Sequence, residues 1–248
     1  MRTTGTHFII MAALLSAFSL FMISSCSEDR TILYNDLEMG DIISGKFVND
    51  AGITFTAVEQ ECEGQLDTMG RAIIRCDILK KVSASEYEVR LKEMSKVLKK
   101  DCLISDEVED IDALGEDPAF ISQAWISAGY LNLASRITFI QNSSKRHLLN
   151  LLYDKTRDNT DTLHFELRHN AYGECYPTTG MTEDGTAVPE GAVYSVGVAY
   201  ASFPIMKFLP EGIDSIPIKI KYTWYVTVND EITPDTYTKE VNGFIVKE

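Results

Sequence analysis

Residues 164–170, His-Phe-Glu-Leu-Arg-His-Asn, place two histidines, a glutamate and an arginine within seven positions. Imidazole and carboxylate at such density could ligate a divalent metal or relay a proton. The spacing argues for neither. In a strand, where side chains alternate, Leu163, Phe165, Leu167 and His169 share one face, and His164, Glu166, Arg168 and Asn170 share the other. His164 and Glu166 become same-face neighbours that can form an ion pair. A zinc site needs three or four ligands converging from known spacings, and His147 is the only other histidine beyond the N-terminal leader. The cluster therefore reads as a polar strand face, with no metal ligand and no catalytic residue assigned.

Other chemistry-bearing patterns give the same answer. H-E-x-x-H, the G-x-S-x-G elbow, the P-loop and the dinucleotide glycine fingerprint do not occur. The acidic run 106–118, DEVEDIDALGEDP, holds seven acids, but not in the order of a calcium loop with its mid-loop glycine and terminal bidentate glutamate. It reads as a solvated linker between domains. Cys62, Cys76, Cys102 and Cys175 follow no C-x-x-C spacing, so neither a zinc ribbon nor a thioredoxin-like motif is present. Cys76 lies on one strand face with Ala72, Ile74 and Ile78, where a thiol serves as a small hydrophobe, with Cys62 as a candidate cross-strand partner. No cofactor is implied. With 23 basic against 37 acidic side chains and a formal net charge of −14, the chain repels phosphate backbones, and nucleic acid is excluded as a partner class.

The N-terminus carries an address. One arginine precedes the apolar run 8–23, FIIMAALLSAFSLFMI, which is slightly short for a membrane span and has the form of a signal peptide. It ends at Ile23-Ser24-Ser25-Cys26, which resembles the lipobox of bacterial lipoproteins, with Cys26 as the lipidated residue. Ser27-Glu28-Asp29 is similar to the acidic signal that sends Bacteroidota lipoproteins to the cell surface. Each buried acyl methylene contributes about 0.8 kcal/mol, so two or three chains on Cys26 would anchor the protein in the outer membrane durably.

The elements beyond are strands. ITFTAVEQ, RAIIRCDIL and EYEVRLK are bounded by Gly, Asp or Ser; the last also fits a helical face through Tyr87, Leu91, Met94 and Leu98, and its β-branched and aromatic surroundings favour a strand. After the acidic run, Leu131, Leu133, Ile137 and Phe139 line one face of YLNLASRITFI. Ile216, Ile218, Ile220, Tyr222, Trp224, Val226 and Val228 alternate through IPIKIKYTWYVTV, a half-buried antiparallel strand long enough to require a bend or bulge. With RHLLNLLYD, TLHFELRHN, AVYSVGVAYASF and TKEVNGFIV, the second half is a β-sandwich of six or seven strands.

The order of these features, with GRAIIRCDIL, YEVRLKEMSKVL, Trp125, Gly129-Tyr130-Leu131-Asn132, His147 and Leu167-Arg168-His169-Asn170, resembles the NigD-like lipoproteins of Bacteroidota. The resemblance implies an all-β fold, an N-terminal OB-like barrel followed by a C-terminal immunoglobulin-like β-sandwich, and an association with bacteriocin immunity. The expected organisation is a signal peptide at 1–25, a tether at 26–40, the barrel at 41–105, the acidic linker at 106–118 and the sandwich at 119–248. Tyr130, Asn132 and Arg136, opposite Leu131 and Leu133, are the candidate binding surface; the competing placement for Tyr130 is the joint between domains. The expected function is non-enzymatic binding of an envelope or secreted protein by a lipoprotein held in the membrane through acylated Cys26. The alternatives are a hydrolase of glycans or peptides using a carboxylate pair, or a structural subunit of an envelope assembly.

Overall fold

The computed structural model describes residues 32–157, 162–175, 191–210, 215–228 and 231–241. Cys26 and its lipobox lie outside them. The described residues form β-strands joined by turns and single 3-10 turns, with no α-helix among them.

Five strands close a barrel: β1 (Ile32–Ile43), β2 (Lys46–Asn49), β3 (Thr54–Gln60), β4 (Arg71–Lys81) and β5 (Glu86–Lys96), in the order β1-β2-β3-β5-β4. The β3–β5 pair is parallel and the other pairs are antiparallel, giving the OB-like barrel. Phe47, Phe55, Ile74, Cys76, Val89 and Leu91 fill it from alternate positions. Burying each large side chain stabilises the barrel by roughly 1.5–3 kcal/mol. The ambiguous segment 86–92 is strand. Cys76 is 0% exposed and acts as a small apolar group; burial pushes its thiol up to about 12, and it forms no disulfide with Cys62.

Two boundaries differ from expectation. The segment 26–40 is not a tether throughout, because β1 begins at Ile32 and closes the barrel against β4. A register shift between Tyr34 and Glu38 interrupts the alternation that would have revealed this strand. Gly40 belongs to the same closure: a Cβ there would sit 2.0 Å from the Val48 carbonyl oxygen.

The barrel also ends earlier than residue 105. β6 (Leu98–Lys99) and β7 (Leu103–Ile104) pair in parallel with strands of the sandwich. The remaining strands are β8 (Ala119–Ser127), β9 (Tyr130–Ile140), β10 (Leu148–Tyr153), β11 (Leu163–Asn170), β12 (Tyr194–Pro204), β13 (Ile218–Val228) and β14 (Glu231–Val241). They form one sheet in the order β14-β13-β11-β10-β7 and a second in the order β6-β12-β9-β8. β6 and β7 are two residues each, too short to show a period, which is why the sequence did not reveal them.

Between the sheets lie Leu131, Leu133, Leu151, Phe165, Phe203 and Ile220. The expected faces of β9, β11 and β13 hold, with Ile218, Ile220 and Tyr222 buried and Trp224 packed at the margin. β13 pairs antiparallel with β14, as expected, but runs parallel to β11 on its other side, and its ladder with β14 carries no bulge.

The acidic segment is not a linker between domains, since β6 and β7 precede it. Its end is stitched to β11: the Asp117 amide donates to the His169 carbonyl at 2.9 Å, and the Asp117 carboxylate accepts from the Ala171 amide at 2.5 Å. Glu116 pairs with Arg168, leaving that arginine only 7% exposed on the face expected to be open. Glu166 pairs with Arg168 at 3.0 Å and Lys221 at 3.1 Å. Seven acids read as solvated charge until tertiary structure brings Arg168 to Glu116 and Lys155 to Asp106.

Candidate functional site

The barrel and sandwich meet over one cation. Arg71, the first residue of β4, is 0% exposed. Its Nε donates to Ser202 Oγ at 2.8 Å, and one terminal nitrogen donates to Asp50 Oδ2 at 2.7 Å and Asn132 Oδ1 at 3.3 Å. The other lies 3.5 Å from Asp41, and the guanidinium is 4.5 Å from the centre of the Tyr130 ring. Ser202 donates to Asn132 Oδ1 at 2.6 Å, Asn132 donates to Ser127 Oγ at 2.8 Å, and Ser127 donates to Asp50. A planar, permanently charged fork can meet these partners together, which a lysine could not. The network draws on β1, β4 and the turn after β2 in the barrel, and on β8, β9 and β12 in the sandwich.

A cleft of about 480 Å³ opens beside this network, its walls taken from both domains. Trp125 and Tyr200 form the aromatic part, packed against Met39, Ile73 and Val97. Leu37 is 54% exposed at the cleft, while Gln123, Glu38 and Asn49 supply polar groups. The carboxylates are already engaged: Glu38 accepts from Asn49 Nδ2 at 2.8 Å, and Asp50 is held by Arg71 and Ser127. Aromatic surface with fixed polar groups can bind a partner. A general acid or base, by contrast, must be positioned to exchange its proton with substrate.

The expected surface of Tyr130, Asn132 and Arg136 is divided by the structure. Asn132 is 0% exposed and belongs to the interdomain network. Tyr130 lies at the same joint under Arg71 and Lys99, the lysine 5.1 Å from its ring centre. Arg136 is exposed further along β9, its guanidinium 5.9 Å from the Phe120 ring centre. Their shared strand face is real, but the barrel covers one end of it. Arg71 itself was missed, because the first residue of a strand looks solvent-facing until a second domain packs on it. Trp125 was singled out only through the resemblance.

A second polar cluster forms where β10 and β11 pair. Leu149 lies opposite His169 in the register, so His147, two residues earlier, is its diagonal neighbour. His147 Nδ1 and His169 Nε2 are 3.1 Å apart, and His169 Nδ1 faces the carbonyls of Asp117 at 3.3 Å and Pro118 at 3.2 Å. Two carbonyls accept only, so His169 carries its proton on Nδ1 and its Nε2 accepts from His147 Nδ1. His147 Nε2 is left as a lone pair, 3.7 Å from Glu174 Oε2. Burial, with His147 beside it, pushes the His169 pKa down to about 4, and burial likewise lowers that of His147 against the raising effect of Glu174. Among the described residues, no group of three or more His, Cys, Asp or Glu side chains is arranged to hold a metal ion. The expected packed position of His169 agrees with its 1% exposure, but its pairing with His147 depends on the β10–β11 register and was not anticipated.

Comparison with known proteins identifies the sandwich. Residues 103–187 match the model of the NigD-like C-terminal beta sandwich domain. No curated protein matches the chain. A NigD-like immunity protein from Bacteroides caccae is 17% identical, with 84% of this chain and 97% of that chain covered at a TM-score of 0.52. A protein of unknown function from Bacteroides vulgatus is 20% identical, with 86% of this chain and 91% of that chain covered at a TM-score of 0.51. A candidate lipoprotein from Bacteroides fragilis is 11% identical, with 86% of this chain and 99% of that chain covered at a TM-score of 0.55. At these identities the likeness is one of fold, and it extends across both the barrel and the sandwich. The chain thus couples a closed five-stranded barrel to a β-sandwich whose residues 103–187 match the NigD-like C-terminal beta sandwich domain.

Proposed function

We propose that the protein is an envelope lipoprotein, anchored through Cys26, whose interdomain cleft binds a secreted or envelope protein without transforming it. One observation carries this reading: the cleft has an exposed Leu37 and a half-buried aromatic wall of Trp125 and Tyr200, while its carboxylates are occupied by Arg71, Ser127 and Asn49. Arg71 holds the two walls in fixed relation, so the surface is preorganised for a partner. The immunity function named for the Bacteroides caccae relative supports a protein partner such as a bacteriocin. The hydrolase alternative would require a carboxylate poised for proton transfer, and Glu38 and Asp50 are both committed within the fold.

The test is capture from envelope membranes with the lipidated chain as bait, compared with Leu37→Arg and Gln123→Lys, two exposed positions of the cleft. The expected result is a specific protein retained by the native chain and lost from both variants. Equal retention by all three would remove the cleft from the function. Separately, Cys26→Ala should abolish radiolabelled palmitate incorporation, and continued labelling would sink the anchor. Protease shaving of intact cells then distinguishes surface exposure, which rests on Ser27-Glu28-Asp29, from a periplasmic orientation.

A further inference from the structure

A different pocket, of about 460 Å³, enters the sandwich between its two sheets. Ile137, Phe139 and Ala199 line it from β9 and β12, and Leu149 faces them from β10. Its polar end is made by His147 and Glu174, whose side chains are only 7% and 6% exposed. His147 Nε2 is buried with no hydrogen-bond partner, a costly condition unless something supplies one. Ser143 donates to Glu174 Oε1, which leaves Oε2 facing the histidine.

We propose that this pocket binds a small molecule with an apolar body and a protonated primary amine, the ammonium seated between His147 Nε2 and Glu174 Oε2. The chemistry follows from the inventory of acceptors. The proton on His147 is committed to His169 through Nδ1, so Nε2 offers only a lone pair, and the ionised Glu174 carboxylate also only accepts. A ligand that brought acceptors would be repelled, a hydroxyl would satisfy one of the two atoms, and an ammonium satisfies both while neutralising a buried charge. The apolar walls require a hydrocarbon body, and the volume is that of a small-molecule pocket. Tyr200 lines both this pocket and the cleft assigned to a protein partner, but the residues substituted in the two tests line only one of them each, so either proposal can fail without the other.

The site is sensitive to protons. When His147 takes a second proton, its Nε2–H can bond Glu174 and occupy the ammonium position. The other charged groups around the imidazole are His169 on β11, Asp117 before β8, Glu174 after β11 and Lys145 on its own loop; Lys96 from the barrel also lines the pocket. Lys145 is turned to the Tyr172 carbonyl at 2.8 Å. Amine binding should therefore weaken with acidification.

The experiment titrates 2-phenylethylamine into the full chain in detergent and follows the histidine ring proton resonances by NMR. A saturable shift of the His147 signal with His164 unmoved is expected, with 2-phenylethanol weaker by roughly tenfold, a loss of about 1.4 kcal/mol. Burial lowers the His147 pKa below the ordinary histidine value, so amine affinity should hold at neutral pH and fall on acidification below that value, and Glu174→Gln should weaken binding at neutral pH. Because Glu174 is also part of the loop after β11, Ala199→Leu provides a second variant. It narrows the apolar wall without touching the polar end, and should abolish binding while His147 still titrates. Absence of saturable amine binding, equal affinity for the alcohol, or binding retained in both variants would overturn the proposal.

Discussion

Arg71→Ala is the most demanding test of the interdomain joint. The substitution removes a fully buried guanidinium and its hydrogen bonds to Ser202, Asp50 and Asn132. It leaves the Asp50 carboxylate, 13% exposed, with Ser127 as a donor but without its cation, and the Asp41 carboxylate, 28% exposed, with Lys99 alone. A buried ion pair adds little over a well-packed apolar pair, because desolvation offsets most of the attraction, but removing one partner typically costs about 3–5 kcal/mol. Asp41 retains enough solvent to screen its loss, so Asp50 should dominate, with the buried Asn132–Ser202 pair losing the guanidinium but keeping its mutual bond, and we expect about 3–4 kcal/mol on that basis. Urea unfolding followed by circular dichroism measures the loss. A double-mutant cycle with Asp50→Ala isolates the pair, and the second substitution should cost less once Arg71 is gone. A loss within about 0.5 kcal/mol, the size of an ordinary surface substitution, would refute the joint as drawn.

The two strand-face histidines should separate in the same assay. His169→Ala removes a buried imidazole bonded at both nitrogens and should cost about 1–3 kcal/mol, whereas His164→Ala, on the less buried face, should stay within about 0.5 kcal/mol. Both His169 and His147 have folded pKa values lowered by burial, so the unfolded chain binds more protons below its ordinary histidine value of about 6.5. Stability should therefore decline as pH falls from about 6.5 toward about 4, and His169→Ala should flatten that slope in pH-dependent urea melts. Gly40→Ala places a methyl against the backbone of Val48 and Asn49, which cannot rotate aside, so a loss of at least about 1–3 kcal/mol is expected by thermal or urea unfolding.

Strand identity and facing were legible in the sequence because both follow from a local period of two. Leu131 and Leu133 on β9, or Ile218 and Ile220 on β13, alternate regardless of what they pack against, and one apolar face forces the orientation. The rest depended on distance along the chain. β6 and β7 exist only because β12 and β10 accept them. A bulge hid β1, and the acidic run became part of the sandwich when Glu116 met Arg168. Arg71 finds Ser202 across 131 residues, and His147 meets His169 through one particular register of the β10–β11 pair. Composition shows that such groups are present. Only the docking of one sheet and one domain on another decides which of them lose water, and loss of water is what turned an arginine at a strand end into the joint between domains and left a histidine nitrogen facing a pocket.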